Sequence, residues 1–324
     1  MTLQGFLLPV CCIFFAQSVV GSSGDESTQF QTCVSKCLGY KASSDQVPSL
    51  VTPCVQQSYL WNCEADCRYR CMWSIENTKR DVGWTKHVEK YYGKWPFIKL
   101  GPVQEPASVL MSIVNMLANG YCFRRLVRMS HEKGHPMDRF KNVLWIIHFI
   151  AAMHAWIWSA VFHSRDVVAT ERLDYFSAGA LMVFDMYLSC CRVFSLSSAV
   201  SRTAFAILLM VGYGRHMYYM HYVKFDYGYH VGLCVVAGII QSLAWVSWLL
   251  FTVEGKEHRG RKYLGMFVVS VNAAVLLEVL DFPPLLDAVD AHALWHLATI
   301  PLTFLFYEFV WRDVQANMIE DKYQ

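Results

Sequence analysis

Hydrophobic and polar positions along this chain change places on the scale of whole segments. A short apolar run at residues 3–20 (LQGFLLPVCCIFFAQSVV) gives way to a mixed polar stretch over 22–105. From there the sequence returns repeatedly to apolar runs near the length of about 20 residues that a helix needs to cross a bilayer. Seven such runs, at 106–123, 143–163, 173–191, 197–213, 230–251, 263–281 and 293–311, predict an all-α polytopic membrane protein. Its seven transmembrane helices follow a small disulfide-rich lumenal domain. The fourth run is short and carries Arg202. The domain plan is therefore a signal peptide at 1–21, a cysteine-rich domain at 22–105, a seven-helix domain at 106–311 and a cytosolic tail at 312–324.

Composition supports that plan. With 55% hydrophobic and 17% charged residues in 324, the chain is too apolar for an ordinary soluble fold. A net charge of +2 with no long basic stripe argues against a nucleic-acid partner. The run at 3–20 ends in Val19-Val20-Gly21, small residues of the kind that precede signal cleavage, although no Lys or Arg leads it. A signal would place the next segment in a lumen. Loop charge gives the same orientation independently. The loop with Arg124, Arg125, Arg128, Lys133, Arg139 and Lys141, and the loop with Lys256, Arg259, Arg261 and Lys262, are basic and fall on the cytosolic side. The loops at 164–172 and 282–292 are neutral or acidic and fall on the lumenal side.

In an oxidising lumen the six cysteines of the polar stretch (Cys33, Cys37, Cys54, Cys63, Cys67, Cys71) predict up to three disulfides, with the pairing open. Cys33 and Cys37, and Cys63, Cys67 and Cys71, recur every four residues and so share helical faces, as helices stapled together would require. A zinc knuckle is the competing reading.

Candidate chemistry gathers at one side of the membrane. Ser159 and His163 lie i, i+4 at the end of the second run, Asp174 lies near the start of the third, and His292 and His296 lie i, i+4 at the start of the seventh. With alternating topology, all these ends are lumenal and at similar depth. Ionisable side chains inside a membrane are costly and mark functional sites. Three histidines that leave a fourth position open are the ligand set of a catalytic zinc, here His163, His292 and His296. Asp174 is the expected general base, and Ser159 is expected to orient water or donate to an oxyanion. Taken singly, a histidine in a span can simply bond a backbone carbonyl, and Ser159 can bond back into its own helix. Glu278, Asp281 and Asp290 either fix histidine tautomers from behind or are solvated span ends.

The residues also resemble a known group. Ser-x3-His, an Asp opening the next span and a late His-x3-His resemble the superfamily of alkaline ceramidases and adiponectin-type receptors. The closer resemblance is to the Per-like family of GPI-remodelling phospholipases. It is carried by Glu64-Ala-Asp-Cys-Arg-Tyr-Arg-Cys-Met-Trp73, Gly93-Lys-Trp-Pro-Phe97, Gln104-Glu-Pro-Ala-Ser108 and Trp158-Ser-Ala-Val-Phe-His-Ser-Arg-Asp166. Phe225-Asp-Tyr-Gly-Tyr229, Leu280-Asp-Phe-Pro-Pro284 and Asp290-Ala-His-Ala-Leu-Trp-His-Leu-Ala-Thr-Ile-Pro301 complete the set. The resemblance implies a zinc enzyme of the Golgi or endoplasmic reticulum that removes the sn-2 acyl chain from GPI anchors, with GPI-anchored proteins as its lipid substrates. A ceramide-type amidase and a seven-span receptor or scaffold with a structural metal are the alternatives.

Overall fold

The structure, a computed structural model, describes residues 22–39, 61–83, 88–132 and 140–320. The expected signal peptide and Cys54 lie outside the described residues.

Two helices, α1 (Thr28–Gly39) and α2 (Cys63–Asp81), form the cysteine-rich domain. Helix α2 starts where the Asn62 side chain accepts a hydrogen bond from Ala65 N. Glu64 and Asp66 sit at its positive end and Lys79 and Arg80 at its negative end. Disulfides Cys33–Cys71 and Cys37–Cys67 join matching turns of the two helices, which fixes them antiparallel. Cys63 is disulfide-bonded as well. Stapled helices are thus what the four-residue spacing produces. Phe30, Cys71, Met72 and Tyr91 fill a core too small to stand by itself, which is why the covalent staples matter.

A strap of residues 88–105 leads from this domain to the bundle. Its tight turn needs left-handed backbone at Tyr92 and Gly93, closed by Tyr91 N donating to Lys94 O. Further along, Ile98 N donates to Asp287 O, Gln104 N to Ser164 O and Glu105 N to His163 O. The strap is therefore bonded, backbone to backbone, onto the end of the bundle.

Seven long helices follow: α3 (Pro106–Glu132), α4 (Phe140–Ser164), α5 (Val168–Val193), α6 (Ala199–Tyr218), α7 (Tyr227–Phe251), α8 (Arg261–Leu280) and α9 (Ala291–Glu320). Each expected apolar run is helical. Five of them, α4, α5, α7, α8 and α9, are long and apolar enough to cross a membrane. Helix α3 loses hydropathy to Ser108, Ser112, Asn115 and Asn119, a polar stripe that is entirely buried. The stripe faces α9: Asn115 Nδ2 donates to His296 O at 2.8 Å and Thr299 Oγ1 donates to Asn115 Oδ1 at 3.2 Å. Helix α6 carries Arg202 and Arg215 and leans on α5 alone among the long helices with substantial contacts.

The other six close a ring in the order α3, α4, α5, α7, α8, α9, with α7 and α8 the neighbours that touch least. Trp145, Trp245, Trp248, Leu264, Phe309, Val310 and Val314 pack its interior away from the strap. The outer surfaces are apolar as well, as at Val200, Leu208, Val211, Phe251, Val269 and Leu276, which suits contact with lipid chains. Helix α9 continues to Glu320, beyond the boundary at 311 that hydropathy suggests.

Candidate metal centre

Two helix ends place the three histidines together. His163 ends α4, and His292 and His296 occupy successive turns at the start of α9, which packs against α8 and α3. One ring nitrogen from each lies within 4.8 Å of the others. His292 Nε2 stands 3.3 Å from His163 Nε2 and 2.9 Å from His296 Nε2. His163 and His296 are buried, and His292 is the partly exposed member on the open side of the site.

The opposite ring nitrogens settle which of these atoms carry protons. His163 Nδ1 is 2.7 Å from Glu105 Oε2, and His292 Nδ1 is 2.7 Å from Glu278 Oε2. A carboxylate accepts only, so both Nδ1 atoms donate. His296 Nδ1 is 3.0 Å from Ser112 Oγ. The single Ser112 hydrogen goes to Ser108 O at 2.8 Å, which leaves Ser112 Oγ to accept from His296 Nδ1. Ser159 Oγ, 3.0 Å away, then donates to Ser112 Oγ as well. Every Nδ1 is a donor, so in the neutral imidazoles that a metal binds the three Nε2 lone pairs face one another.

A divalent cation between the three nitrogens would take all three lone pairs, where a proton on one ring can only bridge it to its neighbours. Tetrahedral zinc at a Zn–N distance of about 2.0–2.1 Å sets its nitrogens about 3.3–3.4 Å apart, close to what this site presents. Second partners on each metal-binding imidazole, carboxylate or hydroxyl, are the usual companions of such ligands. The donor set fits a divalent metal of the zinc class.

Of the polar residues singled out in the sequence, Asp174 is half-buried on the first turns of α5, in electrostatic reach of His292. Among the described residues it hydrogen-bonds none of the three histidines. Ser159 is buried and reaches the site through Ser112. Glu278 is the partner of His292, whereas Asp281 binds Lys90 and Trp95, and Asp290 accepts from Ala293 N as the cap of α9.

Glu105 and Lys94 lie in motifs that carry the family resemblance, but the sequence assigns neither them nor Ser112 a place at the site. Glu105 sits just before α3, and Lys94 of the strap pairs with both Glu105 and Asp166. Burial works against both charges. Even so, Glu105 and Asp166 hold the Lys94 ammonium above its usual value, and Lys94 with His163 holds the Glu105 carboxyl below the usual carboxylate range. The signal that would have found Ser112 is the spacing Ser108, Ser112, Asn115, Asn119, a polar stripe at helical period within an apolar run.

A protein-family model, the Per1-like family, matches residues 53–314 of the chain. The chain belongs to the Per1-like family. The matched stretch contains the stapled helix α2, the strap, all three histidines and each of their partners. Curated relatives agree over nearly the whole length. A zebrafish (Danio rerio) protein named GPI-specific phospholipase A2-like PGAP3 is 34% identical over 296 residues, covering 90% of each chain. Its mouse (Mus musculus) counterpart is 35% identical over 298 residues, covering 90% of this chain and 89% of its own. A Drosophila melanogaster protein named post-GPI attachment to proteins factor 3 is 34% identical over 298 residues, with the same coverage. No solved structure matches this Per1-like protein.

Proposed function

We propose that this Per1-like protein is a membrane-embedded, zinc-dependent lipid hydrolase that removes the sn-2 acyl chain from GPI anchors already attached to proteins. It works in the Golgi or endoplasmic reticulum with its stapled domain in the lumen. The observation that carries the reading is the convergence of three Nε2 lone pairs, each fixed by a partner on its own Nδ1. The names of the relatives support the substrate class and the ester bond.

Zinc held by His163, His292 and His296 would polarise the ester carbonyl and make a water acidic near neutral pH. The protein's own groups supply the rest. Glu105, Glu278 and Ser112 hold the Nδ1 protons, so each Nε2 keeps its lone pair toward the centre. Asp174 takes the proton of the attacking water and returns it to the departing alkoxide. The Ser159 hydrogen is committed to Ser112, and its free lone pairs accept from that water. Of its two expected roles, orienting water therefore fits better than donating to an oxyanion. Water adds to the acyl carbon as the ester C–O bond breaks, giving a lyso-GPI protein and a free fatty acid. The ester arrives laterally from the lumenal leaflet, on the side where His292 is exposed.

The test is fatty-acid release from a GPI-anchored protein by purified wild type and His296→Ala, with metal content measured on both. Wild type should carry about one zinc and release fatty acid, and the variant should lose both. A metal-loaded wild type that cleaves ceramide instead would make it an amidase. One that cleaves neither lipid would favour the receptor or scaffold.

A further inference from the structure

Between α8 and α9 the chain makes a connection, residues 281–290, whose two shoulders are both gripped by the stapled domain and its strap. At the first shoulder Asp281 ends α8 with left-handed backbone, φ 39° and ψ 49°, its N–H bonded to Leu277 O. Its carboxylate is ion-paired with Lys90 and accepts from Trp95 Nε1 at 2.9 Å, and the Lys90 ammonium also lies over the Trp95 ring. At the second shoulder Asp287, again left-handed, takes a two-point ion pair from Arg80 of α2 at 2.6 and 2.8 Å. Its carbonyl accepts from Ile98 N.

What this connection joins gives the grip its meaning. Glu278 lies three residues before Asp281, and His292 lies five after Asp287. These two residues form the 2.7 Å pair that turns His292 toward the other histidines. His292 is also the most exposed of the three, with its side chain 36% exposed. Its orientation therefore depends on Glu278 and on the spacing between the end of α8 and the start of α9.

We propose that Asp281 is a positioning residue for the three-histidine centre. Clamped by Lys90 and Trp95, it sets the end of α8, and so the Glu278–His292 pair, from outside the membrane-spanning part of the molecule. The inference rests on the reading of that centre as a zinc site. It gives the stapled domain a definite task, which is to hold the geometry of a site whose ligands all belong to the bundle.

The side chain and the backbone of Asp281 can be separated by experiment. Glycine adopts left-handed backbone without cost, so Asp281→Gly keeps the end of α8 and removes only the clamp. Lys90→Met removes the ion pair from the other side and leaves the Asp281 backbone and its bond from Trp95 untouched. Full-length wild type, Asp281→Gly, Lys90→Met and the double variant are purified in detergent. Zinc affinity is measured against a competing chelator, with kcat and melting temperature alongside. Groups that support metal ligands change affinity by about 10–100-fold, and these single variants should fall near the low end of that range, about tenfold. The melting temperature of Asp281→Gly should not drop, and the double variant should bind zinc no more weakly than either single one.

Zinc affinity within twofold of wild type in both single variants overturns the proposal, as does a fully additive loss in the double variant. If Asp281→Gly melts lower, Lys90→Met decides: a tenfold loss upholds the clamp, and an unchanged affinity overturns it. A wild type that binds no zinc overturns the zinc reading and this inference together. A wild type that binds zinc beside variants equal to it overturns this inference alone.

Discussion

The two ends of the helical bundle use the same side chains to opposite effect. Away from the strap, Asp313 of α9 is 1% exposed, and donors meet it on every side. Trp145 Nε1 donates to it at 3.0 Å, Arg192 forms an ion pair with it, and His258 Nε2 lies 3.4 Å away. His258 accepts from Gly260 N at Nδ1, which leaves Nε2 to carry a proton on the side of the carboxylate. Charges and hydrogen bonds there close on themselves, tying α4, α5, α9 and the α7–α8 connection together. At the strap end the tautomers are reversed. Nδ1 carries the proton on each histidine, and three Nε2 atoms meet with nothing from the protein between them. A buried carboxylate met by donors and a cation holds a fold, whereas three imidazoles with matched partners on their outer nitrogens suit a ligand held between them.

That contrast can be broken, and the largest expected effect is at the ligands. His163→Gln should lose bound metal and reduce fatty-acid release to background, with the fold retained by circular dichroism. Next comes Asp174→Asn, which should keep the metal and lower kcat by about 10²–10⁴-fold, the usual contribution of a general base. Full activity in that variant would remove Asp174 from the mechanism. Asp313→Ala should act the other way, with metal affinity unchanged in the folded fraction but stability reduced by about 1–3 kcal/mol, because Trp145 Nε1 and one Arg192 nitrogen lose a buried acceptor while Arg192 keeps Glu254. If thermal unfolding is unaltered and zinc is lost, the two ends are not distinct in the way described.

Smaller effects refine the picture. Glu105→Gln and Glu278→Gln should each weaken metal binding about 10–100-fold, read from competition with a chelator, while the isosteric amide keeps the packing. Ser159→Ala should be mildest, with kcat lowered by less than about tenfold and zinc content unchanged, since it removes one hydrogen bond to water. A larger loss, together with a covalent acyl adduct trapped on wild type, would turn Ser159 into a nucleophile.

Much of this molecule is legible in one dimension. The order of the apolar runs, the four-residue spacing of the cysteines and the His-x3-His register follow from helical periodicity, which needs only neighbours along the chain. For this reason α4, α5, α7, α8 and α9 and the stapled pair of helices appear where the pattern puts them. The three histidines could be gathered in advance because alternating topology assigns each to one side of the membrane. Helix α3, expected as a span, falls below the hydropathy of the other five because of its polar stripe, which is buried against α9.

Sequence by itself determined which helices form, which cysteine faces can pair and which histidines share a side, because each depends on local period or on counting crossings. Only the tertiary structure decided that Cys33 joins Cys71, that Glu105 and Ser112 rather than nearer polar residues set the tautomers of His163 and His296, and that Asp281 answers to Lys90. Partners separated by tens to nearly two hundred residues are chosen by how helices pack and where the strap lies. Those choices come from close three-dimensional fit, which no spacing along the chain encodes.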